Sequence, residues 1–332
     1  MVSRIIRIIS LTLSMLLAVC CMTGCFGRMI VQDEEHAELP DVDPEDGVEK
    51  TVAVKLYYRL TNEEYLAGVE SSVTVRAGER TETAVIRALI EGVPPLASNV
   101  SALFPSGTSI ENTYYEKGIL YVTLSKEVLD DSMIASLKEE DYQSPEEYQQ
   151  AVDEATSEMY LRRRLGVLSI VNTIAGSDEG SRVQIMVDNE GSGTGSRMPY
   201  ETFGFEKRQG EIMEPMGFDE SVVVTPEKVV GCLFERIANG QYDMAYALVA
   251  ESDYYGITNA DFEAEMEALG RLESYEMTGT VNDGDRTYVT ADVRIAAPGG
   301  TMKNIIKARI HLEKEGDLYK VYYSSLQALM ES

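Results

Sequence analysis

From Val289 to Leu312 the chain alternates apolar and polar residues twice. Val289, Ala291, Val293 and Ile295 are separated by Thr290, Asp292 and Arg294, and Ile306, Ala308, Ile310 and Leu312 by Lys307, Arg309 and His311. A side-chain period of two belongs to strands with one buried and one wet face. Turn signals at Asp283-Gly284, Pro298-Gly299-Gly300 and Glu315-Gly316-Asp317 punctuate the stretch. Connections that short join antiparallel neighbours only. The C-terminal third must therefore close as an antiparallel meander, and its apolar face needs a cover. The cover is encoded just upstream. Thr225 is placed to N-cap a helix with Pro226 at its first position and Glu227 in its first turn. Val230, Leu233, Phe234 and Ile237 then recur at helical spacing until Asn239-Gly240 ends the run. A short helix through Ala245, Leu248 and Val249 follows, and Asp261–Gly270 sets Phe262, Met266 and Leu269 on one stripe.

A separate unit precedes it. Val52–Tyr58 is β-branched and aromatic and predicts a strand, with a second over Val69–Arg76. Thr81–Gly92 predicts a helix through Val85, Ile86, Leu89 and Ile90, stopped by Gly92 in a left-handed turn and by Pro94-Pro95. Thr108–Tyr115 and Gly118–Leu124 predict a hairpin, entered through a tight turn at Gly107, whose second arm buries Leu120, Val122 and Leu124 on one face. Residues 126–150 are acidic and show no clear period. A long helical pattern runs from Pro145 to Ala175, and Arg182–Asp188 is a strand with Val183, Ile185 and Val187 on one side. Gly191-Ser-Gly-Thr-Gly-Ser196 lacks the spacing of a phosphate loop, and Asp188 and Glu190 stand where phosphate would approach, so 191–220 is taken as a flexible linker.

The N-terminus is an address. Arg4 and Arg7 precede a short apolar run from Leu11 to Val19, the pattern of a secretory signal and too short for a standard membrane span. Met22-Thr23-Gly24-Cys25 resembles the lipobox of bacterial lipoproteins, which implies that Cys25 carries diacylglycerol and becomes the mature N-terminus. Two acyl chains suffice for stable anchoring, so the expected location is extracytoplasmic, on the outer face of the cytoplasmic membrane. Cys232 is then left without a disulfide partner. Nine acidic residues between Asp33 and Glu49, with Pro40 and Pro44, make a tether. Its Asp41-x-Asp43-x-Glu45 alternation fails as a calcium loop, because Asp46 and Val52 occupy the glycine and bidentate-glutamate positions. The chain is thus divided into a signal (1–24), a tether (25–50), a first α+β unit (51–190), a linker (191–220) and a second α+β unit (221–332).

Tyr57-Tyr58, Ala88–Pro95, Phe104–Ile110, Gly118–Lys126, Ile170–Ile174 and Val183–Asp188, in that order, resemble the GerM domain of sporulation and germination lipoproteins. The resemblance implies a non-catalytic, extracytoplasmic module whose α+β fold is similar to the ring-building modules of sporulation envelope complexes. Its motif places Gly92, Pro94, Gly107, Asn172, Thr173 and Asp188 at structural positions. For Asn172 and Thr173, polar residues late in an apolar helix, the residues themselves favour a capping or core-edge hydrogen bond over a ligand role. The stretch Thr225–Tyr246, followed by the curled antiparallel sheet, resembles the NTF2-like (cystatin-like cone) superfamily, which includes both pocket enzymes and binding or dimerisation modules.

Chemistry is sparse. The sequence has two histidines, His36 in the tether and His311 on a polar strand face, and four cysteines. It has no HExxH, GxSxG, CxxC or P-loop pattern. No catalytic residue, metal site or cofactor is assigned, and Cys232 is taken as a small core residue. With 56 acidic against 29 basic residues and a net charge of −27, a phosphate-backbone partner is excluded. The expectation is a membrane-anchored binding or assembly module of the cell envelope, whose partner is an envelope protein or peptidoglycan, with self-association open. Two alternatives stand beside it. The cone could hold a small ligand, lined by Tyr242, Tyr246 and Tyr254-Tyr255. Or the chain could regulate cell-wall remodelling, with Arg162-Arg163-Arg164 meeting anionic glycopolymers, unless that knot is simply a solvated helix face.

Overall fold

A computed structural model describes residues 48–331 apart from 96, 98, 179, 209, 254, 255, 284, 285, 316 and 317. The signal, Cys25, His36, nearly all of the tether, and Tyr254-Tyr255 lie outside the described residues.

The first lobe begins with an antiparallel hairpin, β1 (Lys50–Leu60) and β2 (Leu66–Val75), with the short β3 (Val100–Ser101) on the far side of β1. Helix α1 (Thr81–Glu91) packs on β1 and β2. A second sheet has the order β4 (Ile110–Glu116), β5 (Ile119–Ser125), β6 (Arg182–Asp188). β4 and β5 form the expected hairpin around Lys117 and Gly118, both at positive φ. β6 runs parallel to β5, so the chain must cross over between them. The crossover contains the short α2 (Ser132–Ala135) and the 31-residue α3 (Pro145–Ala175), N-capped by Ser144. α3 packs against both β1 and β6. Val54, Leu56, Val85, Ile86, Val122, Ile170, Val171 and Ile185 make one core between these elements.

Four expectations for this lobe are corrected. β2 starts at Leu66 rather than Val69, because it pairs with β1 along its whole length. The residue closing α1, Gly92, has φ 120° and ψ −170°, an extended mirror-image conformation reserved for glycine, not a left-handed turn. β5 and β6 of the hairpin sheet are buried on both faces, with Thr123 and Gln184 buried as well as Leu120 and Val122. Its second cover is the segment expected to be a linker. Ser196 and Met216 bridge to Val187 and Val183 of β6, while Tyr200, Phe203 and Met213 enter the core. A Cβ on Gly195 would stand 2.6 Å from the Thr123 side chain, so only glycine lets this segment lie so close to the sheet. The Gly-Ser composition that suggested flexibility serves close packing instead.

The second lobe has α4 (Pro226–Ala238), α5 (Tyr242–Tyr246) and α6 (Asn259–Leu269), followed by the sheet β7 (Arg271–Asp283), β8 (Arg286–Ala296), β9 (Met302–Glu315), β10 (Leu318–Val321). All neighbours are antiparallel. The molecule is α+β throughout. Thr225 caps α4 by accepting from the Lys228 N–H, and Thr258 with Asp261 forms a capping box on α6. One face departs from the period-two reading. Val293 pairs with Ile305 and Ala291 with Ala308, so β9 bulges at Ile306-Lys307. Ile305 packs on the core while Ile306 is 67% exposed. A last helix, α7 (Tyr323–Glu331), buries Tyr323, Leu326 and Leu329 and was not anticipated from the sequence.

The lobes are joined by the β1–β2 turn. Arg236 of α4 is buried, and its guanidinium reaches the Glu63 carboxylate at 2.6 Å, the Thr61 carbonyl at 2.9 Å and the Met244 carbonyl at 2.5 Å. From the other side Arg59, also buried, donates to the Glu63 carbonyl at 2.6 Å and pairs with Glu158 of α3. The Val224 N–H donates to the Leu66 carbonyl at 2.8 Å, and Lys228 lies over the Tyr65 ring. Leu60, Ala67 and Leu318 close the seam with an apolar contact.

Breaking a buried pair leaves one charge dry and unpartnered, at a cost of about 3–5 kcal/mol. Arg236→Met is expected to lower stability by that order in urea denaturation and to split a single transition into two. Arg236→Met with Glu63→Leu, which removes both charges, is expected to recover most of the loss.

Candidate functional site

The motif polar residues converge on the backbone. Tyr57 of β1 sits opposite Gly68 of β2, and its own N–H and carbonyl point away from that partner, past the end of the short β3. Two side chains one turn apart on α3 take them. The Tyr57 N–H donates to Thr173 Oγ1 at 3.1 Å, and Ser169 Oγ donates to the Tyr57 carbonyl. Asn172 faces the other way. Its amide donates to the Asp219 carbonyl at 3.0 Å and its oxygen accepts from the Asp219 N–H at 2.8 Å. Ser169, Asn172 and Thr173 are fully buried. A helix thus supplies hydrogen bonds that a missing strand would have supplied, and buried polar groups require such partners.

Asp188 ends β6, where its carboxylate accepts from the N–H groups of Glu190 and Ser192 at 3.1 Å and of Gly193 at 2.5 Å. Burial pushes its pKa up, but the N–H donors outweigh that and hold it below the usual carboxylate value. The glycine-rich segment wraps its own carboxylate, which fills the place an anion would need. Gly92 accepts from Tyr58 Oη through its carbonyl at 3.0 Å, and burial raises the Tyr58 pKa to about 12. Pro94 follows at the end of α1, its carbonyl accepting from the Ala97 N–H, and Gly107 has φ 89° in the turn before β4.

The arginine knot is not a free basic patch. Arg163 donates to the carbonyls of Leu129 and Asp130, and its burial lowers its pKa. Arg164 stands 3.9 Å from Glu64. Arg163 pins the acidic segment that leads into α2 onto α3, a contact for which the sequence carried no signal.

Between the helices and sheet of the second lobe, Phe234, Phe262 and Met266 are fully buried, and Tyr246 and Tyr275 pack against the phenylalanine rings. Tyr246 donates to the Ile257 carbonyl. Among the described residues these side chains pack the space between the helices and the sheet. Cys232 is in the same core, its thiol pKa pushed well up by burial and then by Glu63. His311 stacks edgewise near Tyr288 at 5.6 Å on the outward sheet face. Among the described residues no three His, Cys, Asp or Glu side chains are grouped to hold a metal ion, and no helix is long and apolar enough to cross a membrane.

One edge has no partner strand among the described residues, with only Thr83 of α1 reaching its Thr113 hydroxyl at 2.6 Å. β6 is closed by the bridges to Ser196 and Met216, whereas β4 pairs only with β5 among the described strands. β4 carries Tyr114 and Tyr115, 40% and 45% exposed, and Tyr114 stacks face to face on Tyr121 with ring centroids 4.4 Å apart. An unpaired strand edge offers a row of N–H and carbonyl groups, and exposed tyrosines are favoured contact residues.

Residues 55–192 match a family model described as Germane, sporulation and spore germination. No curated protein matches the chain. Among solved structures, the tandem GerMN domains of the sporulation protein GerM from Bacillus subtilis are 17% identical over 52% of this chain and 48% of that one, with a TM-score of 0.30. This chain therefore spans about half of that tandem. A SEC-C motif protein from Rhodopseudomonas palustris is 16% identical over 29% of this chain and 74% of its own, with a TM-score of 0.26. A Campylobacter jejuni protein described as an NTF2-like transpeptidase is 11% identical over 30% and 97%, with a TM-score of 0.21.

Thr173→Val removes the acceptor for a buried N–H and is expected to cost about 1–3 kcal/mol in chemical denaturation, whereas Thr173→Ser keeps the hydroxyl and costs less. Asp188 has a folded pKa below its ordinary 3.8, so its contribution to stability is present above that value and fades as pH falls through the lower folded value. A melting-temperature series against pH is expected to show a shallower acid limb for Asp188→Asn.

Proposed function

We propose that this chain, whose residues 55–192 form a Germane domain, is a non-catalytic lipoprotein that serves as a binding or assembly module in the cell envelope. The Germane domain points to a role in sporulation or germination, and that match is the observation that carries the reading. The lipid would sit on Cys25 and the acidic tether would hold the folded lobes off the outer face of the cytoplasmic membrane. The geometry supports a scaffold in three ways. The motif residues Asn172, Thr173 and Asp188 make their hydrogen bonds to backbone. Phe234, Phe262 and Met266 take up much of the second-lobe interior that the small-ligand alternative would need. Arg163 is consumed in holding α2, which removes one member of the basic knot from the wall-polymer alternative.

The β4 edge is the surface this reading assigns to an envelope protein or to peptidoglycan. Strand addition along it would use main-chain hydrogen bonds, with Tyr114 and Tyr115 contributing contact area.

Metabolic labelling with an alkyne fatty acid tests the anchor. The wild-type protein is expected to take up label and sediment with membranes, and Cys25→Ala to do neither. Photo-crosslinking from position 112 of the same strand, with co-sedimentation on purified sacculi, tests the edge. Tyr114→Ser with Tyr115→Lys is expected to reduce capture at least about fivefold, since a lysine blunts an exposed edge. Unchanged capture would place the partner elsewhere.

A further inference from the structure

The outward face of β8 and β9 carries three cations that form no ion pair among the described residues, beside Asp292, whose carboxylate accepts from the Lys307 N–H at 2.7 Å. Val289, Ala291, Val293 and Ile295 of β8 and Ala308, Ile310 and Leu312 of β9 are buried, so Arg294 and Arg309 point the opposite way. Both are exposed, and the bulge pushes Lys307 out beside them at φ 54°. The Arg309 guanidinium lies over the Tyr288 ring at 5.5 Å. Exposed Ile306 adds an apolar contact in the middle of the face. Other cations are taken up by acids or by backbone: Arg59 pairs with Glu158, Arg87 with Glu79, Arg236 with Glu63 and Arg271 with Glu273, while Arg163, Arg197 and Lys320 donate to carbonyls. Among the described residues, Arg294, Lys307 and Arg309 form no ion pair, in a chain with 56 acidic residues against 29 basic ones.

The complementary surface is on the same chain. α3 is 31 residues long, about 46 Å at 1.5 Å per residue, yet its buried residues begin only at Met159. Its N-terminal half is a solvated arm on which Glu146, Glu147, Asp153 and Glu154 are exposed, and the turn Glu139–Asp141 before it adds three more exposed acids.

We infer that the outward face of β8 and β9 receives the acidic N-terminal arm of α3 from a second copy of this chain. The two surfaces are unlike, so the contact is heterologous and leaves a free arm and a free sheet face at the ends, which extends the assembly into a ring or a filament. A net charge of −27 on each copy opposes association at long range, whereas paired charges a few ångströms apart favour it. Salt screens the first before the second, since the Debye length is about 10 Å at 0.1 M and about 3 Å at 1 M. Self-association therefore peaks at intermediate ionic strength and falls on both sides. The inference uses a different surface from the β4 edge and stands or falls separately from it.

The test is sedimentation velocity of the full-length protein in detergent, over a salt series, with charge-reversed variants. Wild type is expected to associate with that peaked dependence. Arg294→Glu with Arg309→Glu, and separately Glu146→Lys with Glu154→Lys, are expected to weaken association at least about tenfold while circular dichroism and melting temperature stay unchanged. The four changes together restore opposite charges and are expected to recover it. A wild type that is monomeric at every salt, reversed variants that associate like wild type, or a combined variant that fails to recover would each overturn the inference. So would a monomer that instead binds anionic wall polymer through the same arginines.

Discussion

The first lobe depends on how one strand edge is satisfied. β1 runs through the middle of its sheet, yet β3 covers it only at Arg59 and Leu60. The buried Tyr57 backbone beyond that point has no strand beside it on that side. Ser169 and Thr173 of α3 take its carbonyl and N–H. An unmade hydrogen bond there would cost the full desolvation of a peptide group. The stitch fixes where α3 lies on β1. Because α3 is also the crossover between parallel β5 and β6, it fixes the two sheets relative to one another.

The same strand carries the constraint to the second lobe. The β1–β2 turn is gripped by Arg59 from within its own lobe and by Arg236 from the other, with Glu63 serving both, one through its carbonyl and one through its carboxylate. Arginine suits this role because its planar fork reaches several acceptors at once and stays charged when buried. Helix capping by Thr225 and the Val224 bond to Leu66 then set where α4 begins against β2. The joint between the two apolar cores thus rests on two buried arginines, Arg59 and Arg236, each paired with a carboxylate.

Both cores are closed by large side chains, and the polar residues singled out by motif are committed to backbone. Outside the cores lie a tyrosine-bearing strand edge on one lobe, a cationic sheet face on the other, and an acidic helical arm between them in sequence.

The sequence by itself determined the elements whose signal is local. Thr225-Pro226 and the i, i+3, i+4 stripes place helices because capping and helical period are short-range properties. The meander of β7 to β10 was legible for the same reason, its period of two and its short turns lying within a few residues of each other. Tertiary structure decided what depends on distant partners. The segment 191–220 has the composition of a linker, but β6 needed an edge partner and the outer face of β5 needed a cover, and both were taken from it. Ile306 fits the apolar alternation, yet the bulge that re-aims it exists only in register with β8. Arg163 in a basic knot looks like every other exposed arginine until the carbonyls of Leu129 and Asp130, more than thirty residues away, fold against it. Asn172 and Thr173 announced themselves as polar residues in an apolar helix, but only the fold names Asp219 and Tyr57 as their partners, because a hydrogen bond between residues far apart in sequence leaves no local trace.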